Sequence, residues 1–232
     1  CLITDDEARA ANCAQELERL NRERRGIEAS MLQQALLAIE RVSSSEGCTF
    51  FHPDWHQGVV GIVASRLKDR LHRPVICFAR AEEAGEIVLR GSGRSIPGLH
   101  LRDALDAVSK RAPGLIRRFG GHAQAAGLSI AAHDYERFAG EFARTVEELL
   151  PAHARLRVVE TDGALDAMHF SLEVARLLDA GIWGQGFPQP VFCDTFLAEN
   201  QRIVGERHSK HWLVKGGRRI EDCGCAADGK RL

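Results

Sequence analysis

Hydrophobic residues recur every three or four positions along the first forty residues, which is the spacing of a helix with one apolar face. Leu17 and Leu20 belong to this stripe, and Thr4 or Asp5 provides a cap at its start. Because no proline interrupts the segment before the serines at 43–45, the pattern predicts one long helix, or two in line. At about 1.5 Å per residue, such a helix spans roughly 50 Å and suits a connector between lobes.

Between this segment and Pro151, strand-like apolar runs alternate with amphipathic helix patterns, which predicts a compact α/β domain over about 47–150. The predicted strands are 48–51, 75–79, 86–91 and the alternating residues 128–130, and the predicted helices are 59–71, 101–111, 133–150 and a short one at 115–119. Gly120 and Gly121 run into small residues, a pattern that favours either a tight turn or the glycine-rich start of a helix.

After Pro151, short apolar runs separated by turn residues predict a small β-barrel that follows one helix. The expected strands are 155–161, 191–196, 201–206 and 211–215, the expected helix is 170–179, and a loop is expected over 181–190. The polar residues 223–232 carry no strand pattern. The predicted fold class is therefore α/β: a long N-terminal connector helix (1–46), a mixed α/β domain (47–150) and a partial β-barrel (151–232).

The overall composition is ordinary for a globular chain, with 44% hydrophobic residues, 27% charged residues and a formal net charge of −1. The sequence has neither an apolar run of membrane-spanning length nor a signal peptide, so we expect a cytoplasmic protein without a membrane partner. Positive charge is nevertheless concentrated: residues 90–118 contain seven basic and two acidic residues, and 201–219 contain six and one. Each segment indicates either contact with a polyanion or a solvated surface.

The cysteine and histidine spacing argues against a metal site. The seven cysteines are scattered, and the close pair Cys223 and Cys225 lacks the second pair that zinc requires, so we interpret them as buried or incidental thiols. Pro53 lies between His52 and Asp54, so a helix that would place His52 and His56 on the same face is not expected here. We also find no P-loop, dinucleotide fingerprint, or serine or cysteine nucleophile motif.

Two glycine-containing motifs carry side chains that suit a phosphate. Ser92 and Arg94 lie between glycines after a predicted strand, and a hydroxyl and a guanidinium are the donors that a phosphodiester needs. His122 follows Gly121, where the N-terminus of a helix would face an anion, whereas the alternative is a structural histidine in a turn. His56 precedes a predicted helix and is a further candidate for a phosphate or base contact.

Four other residues are candidate nucleic-acid contacts, each with a structural alternative. Trp183 and Phe187 have rings of the kind that stack on bases, although aromatic residues beside prolines also serve packing. Arg66, on the predicted helix 59–71, and Arg118, in the first basic segment, are candidate phosphate contacts or solvated side chains.

Four motifs in order give the chain a family resemblance. They are WHQGVVGIVASR at 55–66, GSGRS at 91–95, GGHAQAAG at 120–127 and WGQGFP at 183–188. Together they resemble the C-terminal half of the RecJ family, bacterial 5′→3′ exonucleases specific for single-stranded DNA within the DHH/DHHA1 phosphoesterase superfamily. The third motif is similar to the superfamily's GGHxxAAG signature, which other DHHA1 proteins share, and the tryptophan-containing motifs narrow the resemblance to RecJ.

The resemblance implies that 1–46 is a connector helix, that 47–150 is a DHHA1 domain and that 151–232 is a partial OB-fold that grips single-stranded DNA. It implies hydrolysis in DNA repair and recombination by two Mn²⁺ or Mg²⁺ ions whose ligands lie in a preceding DHH domain outside this chain. Residues 2–6 resemble the end of that domain. A single-strand-binding protein and a helicase are further partners that the resemblance suggests.

The resemblance also implies that His122, Arg94 and Ser92 hold substrate phosphates, with His56 and Gly121 nearby, and that no residue of the chain is catalytic. We therefore expect a substrate-binding fragment that hydrolyses nothing alone, and a truncated or frame-shifted tail. The alternatives are a module of an oligonucleotide or cyclic-dinucleotide phosphoesterase, whose DHHA1 domain normally lacks a following OB-fold, and a non-enzymatic nucleic-acid-binding module.

Overall fold

The structure, a computed structural model, describes residues 2–39, 47–83, 85–184, 186–204 and 208–225. The chain divides into two compact units, one before and one after the boundary between Arg157 and Val158. None of the described helices has both the length and the apolar character needed to cross a bilayer.

The first unit contains four helices and a five-stranded sheet. The helices are α1 (Glu7–Ile39), α2 (Val60–Leu71), α3 (Leu101–Arg111) and α4 (Tyr135–Leu149). The strands are β1 (Cys48–Phe51), β2 (Val75–Glu83), β3 (Glu86–Arg94), β4 (Ile116–Gly121) and β5 (Ala125–Ala131). The strand order is β1-β2-β3-β5-β4, in which β1 runs parallel to β2 and the other neighbours are antiparallel.

The long N-terminal helix is confirmed, and only its last turns are packed. Met31 and Ala35 are buried, and the indole Nε1 of Trp55 donates a hydrogen bond to Gln34 Oε1 at 2.8 Å. Leu17 and Leu20, which belong to the predicted apolar stripe, are exposed. The helix is thus held to the domain at its C-terminal end, and the predicted continuation beyond residue 39 lies outside the described residues.

The sheet separates two hydrophobic cores, because alternate residues of a strand point to opposite faces. On one face, Ile76 and Phe78 of β2 pack with the buried side of α3 and α4. On the other, Val75 and Cys77 pack with α2 and the end of α1. Burial raises the pKa of the Cys77 thiol, so this cysteine stays protonated in the second core.

The strand predicted at 86–91 is confirmed but extends further than expected, because it includes the glycine-rich motif as far as Arg94. Residues 91–94 are the last part of β3, paired with β2 on one side and β5 on the other. A Cβ built on Gly91 would lie 2.5 Å from Phe78 Cε1 and 2.7 Å from Leu128 Cδ2. Glycine occurs here because large neighbours fill the space in front of it, not because the chain turns.

The predicted short helix at 115–119 is wrong, and of the two alternatives for Gly120 and Gly121 the structure shows the tight turn and not the helix start. Both segments belong to the β4–β5 hairpin, whose small residues bring the two backbones together. Gly121 has a φ of +138°, and a Cβ on it would lie 2.6 Å from Ala126 Cα. Glycine is therefore required at this corner of the hairpin.

The second unit contains a helix, α5 (Leu172–Asp179), and a three-stranded antiparallel sheet; its strands are β6 (Leu197–Val204), β7 (His208–Lys215) and β8 (Arg218–Cys225). The helix and the strand at 211–215 are confirmed. The strands expected at 155–161 and 191–196 are wrong, and residues 223–225, expected to be irregular, end β8. The strand expected at 201–206 overlaps β6, and its last two residues fall outside the described part. No closed barrel is present among the described residues.

Candidate nucleic-acid interface

The face of the sheet that carries Ser92 is bare in one row of residues across β3, β5 and β4. In the register, Ser92 is opposite Gly127 and Gly127 is opposite Gly120, so these three residues form one row across the strands. Residues directly opposite each other share a face of the sheet. Because both glycines are exposed, the row beside Ser92 presents backbone alone, and a ligand can approach it closely.

Helix α2 forms one wall of this bare region. Gly61 in its first turn is so close to the sheet that a Cβ on it would lie 2.9 Å from Ser92 Oγ and 3.0 Å from Arg94 Nη2. The helix covers β2 and the near side of β3, and the glycine row beyond it remains open. The two predicted phosphate-binding side chains thus lie at the boundary between a packed helix and an open sheet.

The guanidinium of Arg94 is positioned by short local hydrogen bonds. Its Nη1 donates to Ser92 Oγ at 3.1 Å and to the Gly93 carbonyl at 2.8 Å. Among the residues that the structure describes, no carboxylate lies within ion-pair distance of Arg94. The side chain is therefore half-buried, oriented and without a compensating charge, which suits it to a phosphate.

His122 lies at the same end of the sheet as Arg94. Ala125 of β5 is paired with Arg94, and the Ala125 carbonyl accepts a hydrogen bond from the His122 N–H at 2.9 Å. Two strand spacings, about 10 Å, therefore separate the backbones of His122 and Arg94. His122 is exposed, and Gly121 forms the hairpin corner that precedes it.

Backbone hydrogen bonds fix the loop that carries His122. Ser95 N–H donates to the Gln124 carbonyl at 3.0 Å, and Leu101 N–H donates to the Ala123 carbonyl at 2.9 Å. The predicted anion site at a helix N-terminus is wrong here, because the His122 N–H closes a hairpin and no helix follows. The side chain of His122, rather than a helix dipole, is what remains available to a ligand.

His56 lies immediately before α2. Its carbonyl accepts the Val59 N–H at 2.9 Å, and its Nδ1 accepts the Gly58 N–H at 3.1 Å. Because Nδ1 is an acceptor, the neutral ring carries its proton on Nε2, which leaves a donor on the exposed edge of the ring. The adjacent Gln57 reaches the sheet, where its Oε1 accepts from Arg90 Nη1 at 3.4 Å.

A second cationic cluster lies on the same face and was only partly foreseen. Arg90 and Arg118 both donate to Glu83 Oε1, at 2.9 and 2.6 Å, and these hydrogen bonds hold the pKa of Glu83 below its usual range. Ser129 lies between the two arginines in the register. These arginines and Ser129 line a groove of about 550 Å³ whose other lining residues are Gly91, Phe119, Gly120, Gly127 and Leu128.

Sequence reasoning selected Arg118 and missed Arg90 and Ser129. The signal that identifies Arg90 is its place two residues before Ser92, since positions i and i+2 of a strand share a face. That signal has meaning only if 91–94 is a strand, and the predicted strand ended at residue 91.

The remaining predicted contacts lie elsewhere. Arg66 forms an ion pair with Glu28 at 3.3 Å, so its side chain ties α2 to α1. In the second unit, the rings of Trp183 and Phe187 lie 5.2 Å apart, and Trp183 Nε1 donates to the Leu178 carbonyl at 2.7 Å. The Phe187 side chain is 64% exposed and is the ring of this pair that a base could reach.

Much of the positive charge of the first basic segment (90–118) is paired with carboxylates in the folded chain. Ion pairs join Arg111 to Glu148, Arg117 to Glu86 and Lys110 to Asp106, in addition to the Glu83 cluster. The segment therefore supplies local anion contacts rather than a continuous basic surface.

No group of three or more His, Cys, Asp or Glu side chains is arranged to hold a metal ion within the described ranges. His52 and Asp54, considered above as ligands, approach each other to 3.8 Å without a third partner of that kind. The part of the chain that the structure describes therefore offers no ligand set for a divalent-metal centre.

Two family models match the chain. The model for the DHHA1 domain matches residues 37–150, and the model for the RecJ OB domain matches residues 161–224. Between them they cover most of the α/β unit after the long helix and most of the second unit.

Similar proteins agree with these matches. The chain is 48% identical over 215 residues to a protein of Salmonella typhimurium named single-stranded-DNA-specific exonuclease RecJ, and 46% identical to the Escherichia coli protein of that name. Each alignment covers 90% of this chain and 37% of the relative, so the chain spans little more than a third of their length. The crystal structure of RecJ from Thermus thermophilus in complex with Mn²⁺ superposes with a TM-score of 0.78 at 29% identity, covering 100% of this chain and 33% of that one.

Proposed function

The chain belongs to the RecJ family, and on that premise we propose that it is the substrate-binding portion of a 5′→3′ exonuclease that hydrolyses single-stranded DNA. In this proposal the DHHA1 domain binds the phosphates of the strand. The RecJ OB domain also grips the single strand, and the long helix α1 connects to a catalytic domain outside the chain.

One observation carries the proposal: Ser92 and Arg94 lie at the edge of an open, glycine-floored face, with His122 at the same end. A phosphodiester has oxygen atoms that accept hydrogen bonds and a negative charge that needs a partner. The Arg94 guanidinium supplies both a donor fork and a charge, Ser92 and His122 add single donors, and Gly120 and Gly127 let the backbone of the strand come near.

In this assignment His122, Arg94 and Ser92 contact phosphates, His56 contributes the donor edge of its ring, and Gly121 sets the hairpin corner. Their role is to hold and orient the strand, which limits its motion relative to the reacting groups. We assign no proton transfer to these residues, and none is needed for a binding role.

Hydrolysis is proposed to use two Mn²⁺ or Mg²⁺ ions whose ligands lie outside the described residues, since those residues offer no ligand cluster. The ions would supply activation of water and stabilisation of the developing charge. The wider role that we propose, in DNA repair and recombination in the cytoplasm with a single-strand-binding protein and a helicase as partners, rests on family membership alone. The domain boundaries at residues 46 and 150 are likewise part of the proposal.

A paired histidine substitution tests the binding role. We expect the chain to bind a fluorescently labelled thymidine octanucleotide, measured by anisotropy at low salt, and His122→Ala to weaken that binding severalfold. His133→Ala is the matched control, because His133 is an exposed histidine at the start of the segment leading into α4. Equal effects of the two substitutions would remove His122 from the binding face.

A second test concerns catalysis. Incubated with Mn²⁺ and an end-labelled single strand, the chain alone is expected to release no nucleotides over a period in which a complete RecJ degrades the strand. Release of nucleotides that is abolished by a chelator would show that the metal-binding centre lies in this chain and would overturn the proposed division of labour.

A further inference from the structure

We propose that Arg90, Arg118 and Ser129 form a second phosphate subsite on the open face, which Glu83 occupies when no strand is bound. The subsite would take the next phosphate of the same DNA strand that Arg94 and Ser92 hold. This proposal rests on the proposed binding of single-stranded DNA. It adds that Glu83 competes with the DNA for the two arginines, and that only a ligand with at least two phosphates can fill both subsites.

The two arginines show how the subsite recognises an anion. Their guanidinium groups converge on one carboxylate oxygen, Glu83 Oε1, with donor–acceptor distances of 2.9 Å from Arg90 and 2.6 Å from Arg118. Two guanidinium groups around a single oxygen are also an arrangement that binds phosphate. The chain thus contains an anion site filled by its own side chain.

The buried hydroxyl of Ser129 supports the second phosphate subsite independently of the two arginines. Ser129 is 2% exposed, and its hydroxyl oxygen is buried without a hydrogen-bond partner among the described residues. A buried hydroxyl that forms no hydrogen bond lowers stability, so its retention on the wall of an open groove needs a reason. A ligand oxygen that enters the groove between the arginines would accept this hydrogen bond.

The topology places the two arginines and Glu83 on the face of the sheet that Ser129 shares. Glu83 is on β2 and Arg118 is on β4, and β3 and β5 lie between these strands. The two side chains can meet only by reaching across the intervening strands, on the face that Ser129 shares. In this proposal, a ligand phosphate that takes the place of Glu83 between the arginines reaches the Ser129 hydroxyl.

The spacing matches a continuous strand of nucleic acid. Arg90 and Ser92 are two residues apart on β3, which places them about 7 Å apart along the strand and on the same face. This distance is comparable with the separation of successive phosphates in an extended single strand. Arg90 also contacts Gln57 beside His56, so the second cluster adjoins the first phosphate site.

Three variants measured against two ligands test the subsite. The ligands are thymidine 5′-monophosphate, which fills one site, and the 5′-phosphorylated thymidine octanucleotide, which can fill both. Arg90→Ala is expected to weaken octanucleotide binding about tenfold and to leave mononucleotide binding unchanged. Glu83→Gln is expected to strengthen octanucleotide binding severalfold, because it removes the competing charge while both arginines remain.

Ser129→Ala distinguishes a ligand-binding hydroxyl from a structural one. Removing an unpartnered buried hydroxyl should keep or raise the thermal unfolding midpoint, and it should weaken octanucleotide binding about threefold. A lower midpoint with unchanged affinity would mean that Ser129 has a structural role alone.

Arg94→Ala serves as the reference, since it should weaken binding of both ligands. If the unmodified chain binds neither ligand, the proposed function fails. If the chain binds the octanucleotide and Arg94→Ala weakens it, while Arg90→Ala and Glu83→Gln leave the affinity unchanged, the function stands and the second subsite is wrong.

A difference in unfolding midpoint below about 2 °C for Arg90→Ala would exclude misfolding, since exposed ion pairs contribute little to stability.

Discussion

The last four residues of β3 alternate between two faces of the sheet that serve different purposes. Gly91 and Gly93 point to the face covered by α3 and α4, where Phe78, Leu128 and Leu101 occupy the space that a Cβ would need. Ser92 and Arg94 point to the other face, which α2 covers only in part. On the first face glycine is a packing requirement, and on the second the neighbouring glycines leave a floor on which a ligand can lie.

This difference separates stability from binding within a single strand. The packed face contains a continuous core that includes the aromatic contacts of Phe78 with Tyr135 and Phe138. The open face contains polar and charged side chains, of which Arg94 has no carboxylate partner among the described residues. Substitutions on the packed face should therefore change the free energy of unfolding, and those on the open face should change affinity.

The largest expected effect comes from the packed face. Phe78→Ala removes a fully buried ring and should lower the free energy of unfolding by about 3–5 kcal/mol, measured by urea denaturation. Ile87→Ala, at a position on the same side of the sheet that is 46% exposed, is the control and should cost about 1 kcal/mol or less. Similar losses in the two variants would contradict the packing described for this face.

A pair of glycine substitutions compares the faces directly. Gly91→Ala places a methyl group against Phe78 and Leu128 and should destabilise the chain by about 1–3 kcal/mol. Gly127→Ala places the same group on the open face, where the nearest atom would be the Gly91 carbonyl oxygen at 3.8 Å, and stability should change by less than about 1 kcal/mol. Urea denaturation of the two variants measures this difference in stability. Equal losses in the two variants would mean that the open face is as crowded as the packed face.

The smallest effect on stability is expected at Gly61, where α2 meets the open face. Gly61→Ala favours the helix by about 0.5–1 kcal/mol but must displace Ser92 Oγ and Arg94 Nη2. We expect an unchanged or slightly higher unfolding midpoint together with severalfold weaker binding of the thymidine octanucleotide. Gly26→Ala is the control, because a Cβ there meets nothing within 4 Å.

The sequence predicted the layers of this fold better than it predicted the site's local structure. Helices α2, α3 and α4 follow from periodicity because each has one buried side. The long helix α1 was also predicted, although its apolar stripe is buried only in the last turns. The segments 91–95 and 120–127 were misassigned because glycine and alanine carry no side-chain alternation. Their strand conformation depends on partners such as Phe78 and Leu128, which are distant in sequence and can be identified only once the sheet is formed.

Several residues of the candidate site were selected from the sequence, but the strand and hairpin that bring them together were not predicted. Ser92, Arg94 and His122 were selected for their chemistry, and the structure places Ser92 and Arg94 on one face of the sheet and His122 in the hairpin loop at the same end. Arg66 was selected for its charge, and its partner is Glu28 on α1. Arg90 and Ser129 were missed because their significance comes from strand register, which a sequence motif does not show.

The salt dependence of binding measures the central claim, that Arg94 on the open face holds a phosphate of single-stranded DNA. Anisotropy titrations of the octanucleotide over a range of salt concentrations give the slope of log K against log salt for the unmodified chain, Arg94→Ala and Arg80→Ala. Arg80 is the control, since it is exposed on β2 on the opposite face. The account predicts weaker binding and a slope shallower by about 0.7 for Arg94→Ala, as expected for one lost phosphate contact, with Arg80→Ala unchanged. A slope that is the same in all three proteins would contradict it.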